Sequence, residues 1–187
     1  NNGTTGKAIV GTVSGTSISF GTAVQFQSGT LGGAGITFDS SSNKVVVAYR
    51  HQSNSGYGTA VVGTVSGTGI SFGTPVVYNS GGTSFPQTAF DPSSGKVVIV
   101  YSDEGSTNDG TAIVGTVSGT SISFGSEVAF NTGSVSRATI VADTTNDKVV
   151  IAYKVGSAGK SVVGTVSGTT ISFGTEATFV SAANYQK

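Results

Sequence analysis

Eleven residues, Gly11-Thr12-Val13-Ser14-Gly15-Thr16-Ser17-Ile18-Ser19-Phe20-Gly21, constrain this chain more than any other stretch. The pattern returns from Gly63 to Gly73, from Gly115 to Gly125 and from Gly164 to Gly174. The first glycines of the four copies lie 52, 52 and 49 residues apart. A repeat of that length is one supersecondary unit used several times, and such a unit buries its apolar face only against its neighbours.

One complete unit runs from Gln87 to Asn131. Thr88-Ala89-Phe90-Asp91 reads as a short strand A, and Pro92-Ser93-Ser94-Gly95 as a turn, since Pro presets the first central φ and Gly suits the last position. Lys96 to Tyr101 is strand B, a nearly unbroken β-branched run of the kind covered on both faces. Ser102 to Gly110 is a polar loop, and Thr111 to Val117 is strand C. Ser118-Gly119 signals a tight hairpin into strand D, which starts at Thr120 and keeps its alternation as far as Phe130. There Ile122, Phe124, Val128 and Phe130 share one face, and the other carries Ser, Gly and Ala. Helical periodicity is absent, and Leu31 is the one leucine.

The expected architecture is all-β: a β-propeller, whole or partial, of four-stranded antiparallel blades repeating about every 52 residues. Stacking blades face to face buries the valine-rich sides and leaves short edges. Phe20, Phe72, Phe124 and Phe173 would fill the wider outer space, and Tyr49, Tyr101 and Tyr153 would pack between blades. Residues 1–28 supply only strands C and D, a half blade, and blades follow at 35–79, 87–131 and 138–180. Three and a half blades do not close a ring alone. The chain begins at Asn1 and contains no Met, as expected of a processed product or an excerpt of something longer.

The copies also show what varies. An Asp precedes each A–B turn (Asp39, Asp91, Asp143) and a Lys follows five residues on (Lys44, Lys96, Lys148). The C–D turn is Ser-Gly throughout. The B–C loop differs each time: 50–58, 102–110, and a version three residues shorter at 154–159. The D–A connection differs as well, at Leu31, Phe85, Val135 and Arg137. A meander puts the A–B and C–D turns at one end and the variable segments at the other. Diversified loops on a rigid scaffold are where recognition sits, although tolerant loops also drift. The candidate ligand-binding residues are therefore Arg50, His51, Tyr57, Phe85, Asp103, Glu104, Asp109, Arg137 and Lys154.

Catalytic and metal signals are weak. The repeated Asp reads as a turn-former accepting backbone N–H bonds, its Lys adding a surface ion pair. Residues 143–147 lack the EF-hand spacing and its Glu. His51 is the only histidine, and no nucleophile elbow accompanies it, so it reads as a solvated loop residue. Asp103 and Glu104 are adjacent and so point apart, whereas glycosidases need carboxyl groups facing each other across ~5–10 Å. No catalytic residue, metal or cofactor is expected. Aromatic platforms for a sugar would be Tyr57, Phe85 and Tyr185.

Charge sets further bounds. Nine basic residues balance nine acidic ones without a run of either, which argues against nucleic acid as a partner. No apolar stretch reaches the ~20 residues of a membrane helix, and no signal-peptide pattern opens the chain. The absence of cysteine removes disulfides and thiolate sites. Few charges among many Ser, Thr and Gly suit an exposed, exported surface.

The run Gly-Thr-Val-Ser-Gly-Thr-Ser-Ile-Ser-Phe-Gly-Thr resembles repeats in large structural or tail-associated proteins of marine tailed phages and bacteria, and the likeness covers nearly the whole chain. Marks of the sialidase, WD40 and kelch propellers are missing: no Trp is present, and the arginines number two, Arg50 and Arg137. The expectation is a non-enzymatic structural or adhesive module, extracellular or on a virion surface, whose equivalent blades act multivalently. Its partners would be a surface glycan, further copies of itself or a larger assembly. A lectin-like propeller is the alternative, with a glycan-cleaving enzyme behind it.

Overall fold

A computed structural model describes residues 5–181. All its regular structure is β, and every strand pairing is antiparallel. β1 (Gly6–Ala8), β2 (Gly11–Ser14), β3 (Ser17–Phe20) and β4 (Val24–Gln27) come first, with β1 paired to β4 and β2 to β3. A first full sheet holds β5 (Leu31–Asp39), β6 (Lys44–His51), β7 (Tyr57–Ser66), β8 (Gly69–Phe72) and β9 (Val76–Asn79). The second holds β10 (Thr83–Asp91), β11 (Lys96–Asp103), β12 (Asp109–Ser118), β13 (Ser121–Phe124) and β14 (Val128–Asn131). The third holds β15 (Val135–Asp143), β16 (Lys148–Val155), β17 (Ala158–Ser167), β18 (Thr170–Phe173) and β19 (Ala177–Val180). Among the described residues the row of sheets does not close into a ring.

Two details depart from the sequence reading. The expected fourth strand is two strands lying end to end on the same edge of the third: β8 and β9 both pair β7, β13 and β14 both pair β12, and β18 and β19 both pair β17. The break follows Gly73, Gly125 and Gly174, whose N–H groups still donate to Val62, Val114 and Val163. Strand A also begins earlier than expected, at Leu31, Thr83 and Val135, because each copy contains a register shift near its start. Within each shift one residue takes a left-handed φ: Gly33 at 69°, Phe85 at 53° and Arg137 at 55°. A bulge of this kind lets the strand continue while re-aiming one side chain.

Each Asp shapes its turn as expected, but among the described residues none of Lys44, Lys96 and Lys148 forms the expected ion pair with it. Asp39 Oδ1 accepts from the backbone N–H and hydroxyl of Ser41, and Asp91 Oδ1 from those of Ser93. Asp143 Oδ1 accepts from the N–H groups of Thr145 and Asn146. The left-handed position closing each turn is Asn43, Gly95 or Asp147, residue types that tolerate it. Burial pushes Asp39 up, but the bonds from Ser41 and Ser42 outweigh it and leave the carboxyl below its ordinary range. Lys148 donates to the carbonyls of Asn146 and Asp147, tying down the turn backbone beside Asp143.

Strand B supplies the core, using both faces. Val46 and Ala48 of β6 pack with Val97, Ile99 and Tyr101 of β11, whereas Val47 and Tyr49 face Phe26 of β4. Val98 and Val100 in turn meet Val149, Ile151 and Tyr153 of β16. Each such aliphatic side chain is worth about 1.5–3 kcal/mol when fully buried.

The seams between sheets repeat one aromatic arrangement. A ring from the end of one sheet meets a Tyr and a Phe from the next: Phe26 with Tyr49 and Phe72, Tyr78 with Tyr101 and Phe124, Phe130 with Tyr153 and Phe173. Centroids lie 4.9–5.8 Å apart at tilted or edge-on angles, the geometry aromatic pairs prefer. The tyrosines thus do pack between sheets. A second repeated contact sits beside each trio. Gly21, Gly73 and Gly125 lie against the C–D turns of the following sheets, so closely that an added Cβ would come 1.9, 1.9 and 1.8 Å from the carbonyl oxygens of Thr68, Thr120 and Thr169.

Candidate functional site

The uniform turns and the varied connections do occupy opposite ends of the sheets, since each strand reverses direction on its neighbour. At the varied end, backbone bonds knit consecutive connections together: Thr83 N–H donates to Gly56, Glu104 N–H to Gly82, and Val135 N–H to Asn108.

Arg50 is the centre of this end. Its Nη1 donates to the Thr83 carbonyl at 2.7 Å, to Ser84 Oγ at 2.9 Å and to Glu104 Oε1, and its Nε donates to Gln52 at 2.8 Å. The guanidinium crosses directly over Gly56, where a Cβ would come 2.8 Å from a terminal nitrogen. It therefore clasps the first sheet to the second through a planar fork that lysine could not supply. Arg50, through its bond to Glu104, and then the Ser84 hydroxyl hold that carboxyl below the usual glutamate range.

A cavity of about 380 Å³ opens beside this clasp, lined by Gly32, Gly33, Arg50, Gln52, Ser84, Phe85 and Glu104. Phe85 is half exposed on its rim. Its left-handed φ costs about 1–2 kcal/mol for an L residue, and the following Pro86 disfavours helical φ/ψ there as well. Backbone held in such a state gathers at functional sites. Gly33 and Arg137 occupy the matching bulge of the flanking sheets, so one structural slot carries three different side chains.

A second cavity, of about 500 Å³, lies between the first and second sheets and includes Tyr78, Asn79, Asp103 and Glu127 in its lining. A polar knot recurs here and at the other seams. Tyr101 donates to Glu127 at 2.6 Å, Tyr153 donates to Glu176, and Tyr49 donates to Gln27 at 2.9 Å. Where the sheet supplies a Glu, the preceding sheet carries a short Asn: Asn131 donates to Glu176 at 2.6 Å, whereas Asn79 donates to Asp103. In the first sheet Pro75 stands in the Glu position, and the longer Gln27 reaches the tyrosine itself. Burial pushes the Tyr49 phenol up to about 12 and raises Tyr101 and Tyr153, helped there by the neighbouring carboxylates, so all three remain donors. Lys160, followed by Tyr153, holds Glu176 below its ordinary range.

The candidates thus separate. Arg50, Glu104 and Phe85 share one cavity. Asp103 turns to the other, accepting from Asn79 at 3.0 Å and from the Gly105 N–H at 2.9 Å, so the adjacent carboxylates do point apart. His51 differs from expectation: it ends β6, is half-buried, and its Nε2 lies 2.7 Å from Gln27 Nε2. An amide nitrogen only donates, so this ring nitrogen accepts and helps fix the Gln27 knot. Asp109 opens β12 and accepts from Thr107 at 2.8 Å; Tyr57, half-buried, opens β7. Arg137 and Lys154 belong to the third sheet, away from both cavities. Tyr185 lies outside the described residues. Among the described residues no cluster of His, Asp and Glu is arranged to hold a metal.

The Arg50–Glu104 pair has a pH consequence. A carboxyl lowered in the fold stabilises it above the unfolded pKa, and that contribution is lost as pH falls through the folded value. Both partners are partly exposed, so the pair is worth about 0.2–1 kcal/mol. Glu104→Gln should therefore be less stable than the parent by that amount at neutral pH, and the difference should vanish in acid, where the parent is protonated too. Urea midpoints across pH test this; a difference independent of pH would deny the ion pair its role.

No family model matches the chain, and no curated protein or solved structure is found similar to it.

Proposed function

We propose that the chain is a non-enzymatic, repeat-built β-propeller module, whole or in part, acting as a structural or adhesive element of an extracellular or virion-surface assembly. The three full sheets are its blades, with β5, β10 and β15 adjacent on the inside and the split fourth strands outside.

One observation carries the reading. The same bulge, at the same end of consecutive sheets, presents glycine, phenylalanine and arginine on an otherwise repeated scaffold. Uniform packing with varied presentation suits contact with an extended or repeating surface, where weak sites multiply.

A glycan is the second reading. Phe85 offers an aromatic face beside the polar groups of Arg50, Ser84 and Glu104, the combination by which apolar sugar faces and hydroxyls are held together. A multivalent display of the protein on a glycan array separates the readings. Binding lost in Phe85→Ala favours the lectin; silence favours scaffolding. In neither case should polysaccharide be cleaved, and turnover that disappears in Asp103→Asn would overturn the non-enzymatic reading.

A further inference from the structure

The seams inside the chain define an interface, and parts of both its halves recur, uncovered, at the two ends of the row; β1–β4 carry no strand B, and so no counterpart of Tyr49, Tyr101 and Tyr153. The outer face of the third sheet carries one half. Phe179 holds the position of Phe26, Tyr78 and Phe130, yet is 61% exposed where Phe130 is 8%. Val163 holds the position of Val114 and is 45% exposed where that residue is 0%. Gly174 holds the position of Gly21, Gly73 and Gly125, but among the described residues no threonine carbonyl seats on it: the nearest neighbour for an added Cβ is the Val163 carbonyl oxygen of its own sheet, 3.7 Å away.

β2 and β3 carry the other half. Phe20 holds the position of Phe72, Phe124 and Phe173 and is exposed. Ile18 holds that of Ile122 and Ile171, at 55% exposure against 3% for each of those. Thr16, in the turn between β2 and β3, holds that of Thr68, Thr120 and Thr169, the residues that seat on the glycines.

We propose that these faces bind each other between molecules: β1–β4 of a second copy of this chain docks on the outer face of the third sheet. Phe20 of that copy packs on Phe179 as Phe173 packs on Phe130, and Thr16 seats its carbonyl on Gly174. The occupant is a second copy because Phe20 and Thr16 hold the positions whose counterparts meet the phenylalanine and the glycine in the internal seams, including a steric seat that a generic apolar partner has no reason to fill. The contact is heterologous, head to tail, and so leads to a closed ring or to a filament. The inference rests on the repeat-module reading and names that module's partner.

Sedimentation velocity of the chain from micromolar to near-millimolar concentration tests it. The parent should move from monomer to larger species as concentration rises. Gly174→Ala should weaken association at least about tenfold, or about 1.4 kcal/mol, with an unchanged circular-dichroism spectrum and thermal midpoint, since its Cβ meets open space in the monomer. Phe20→Asp and Phe179→Asp should each be monomeric. Mixed, they should form a heterodimer and nothing larger, because one intact head then meets one intact tail. A parent that stays monomeric would overturn the inference while leaving the module reading, tested by turnover, untouched. Association indifferent to Gly174→Ala, or unrestored on mixing, would overturn it as well.

Discussion

Gly125→Ala is expected to destabilise the protein by about 1–3 kcal/mol, the usual cost of overpacking a tight contact. For a chain of this length that is a fall of roughly 2–4 °C in the unfolding midpoint per kcal/mol. The added Cβ would lie 1.8 Å from the Thr169 carbonyl oxygen and 2.8 Å from its carbon. Those are backbone atoms at a turn that cannot rotate aside, so the third sheet must swing away from the second. Backbone strain plays no part, because Gly125 is not among the left-handed residues. Gly174→Ala supplies the internal control. Its backbone neighbourhood is open, so the monomer should be unaffected or gain a few tenths of a kcal/mol from a less flexible unfolded chain. Differential scanning calorimetry of both variants at low concentration decides the matter. Equal midpoints would mean that the glycine seats do not set the spacing of the sheets.

Tyr101→Ala should cost more, about 3–5 kcal/mol, as for other large side chains deleted from a core. Tyr101 is fully buried, meets the tilted ring of Tyr78 with centroids 5.2 Å apart, and belongs to the cluster joining the first and second sheets. Tyr101→Phe keeps the ring and loses only the bond to Glu127, so its cost should be about 0.5–1.5 kcal/mol. The gap between the two variants separates packing from the polar knot. Urea unfolding measures both. If Tyr101→Phe were as damaging as Tyr101→Ala, the hydroxyl rather than the ring would be holding the seam. In a row of sheets each unit contacts its neighbours alone, so damage at this central seam should also loosen the sheets on either side.

Much of this organisation is legible in residues 87–131 alone. The β-branched run Lys96 to Tyr101 announces a strand covered on both faces, Ser118-Gly119 announces its hairpin, and Asp91 before Pro-Ser-Ser-Gly announces a capped turn. Each of these signals acts over a few residues, within reach of periodicity and local hydrogen bonding. The candidate site was legible only as a region. Phe85 was singled out as a varied position, but not as the crest of a bulge; the glycine at the matching Gly33 was the one available hint, since glycine favours a left-handed φ. In the sequence Arg50 is one residue of a varied loop; in the fold it is a clasp fastened to Thr83, Ser84 and Glu104, 33 to 54 residues away. His51 reads in sequence as a solvated loop residue because no catalytic motif accompanies it; its partner, Gln27, is 24 residues distant.

The sequence by itself determined the unit: its strands, its two kinds of turn, the alternation of its faces, and the fact that the unit is repeated. These follow from φ/ψ preference and side-chain period, which a chain expresses locally. Only the tertiary structure decided how one unit meets the next. Period says which way a side chain points, not what waits there. So the seats of Gly21, Gly73 and Gly125 under the threonine carbonyls, the three aromatic trios, and the exchange of Gln27 for an Asn–Glu pair emerge only when neighbouring sheets are in place.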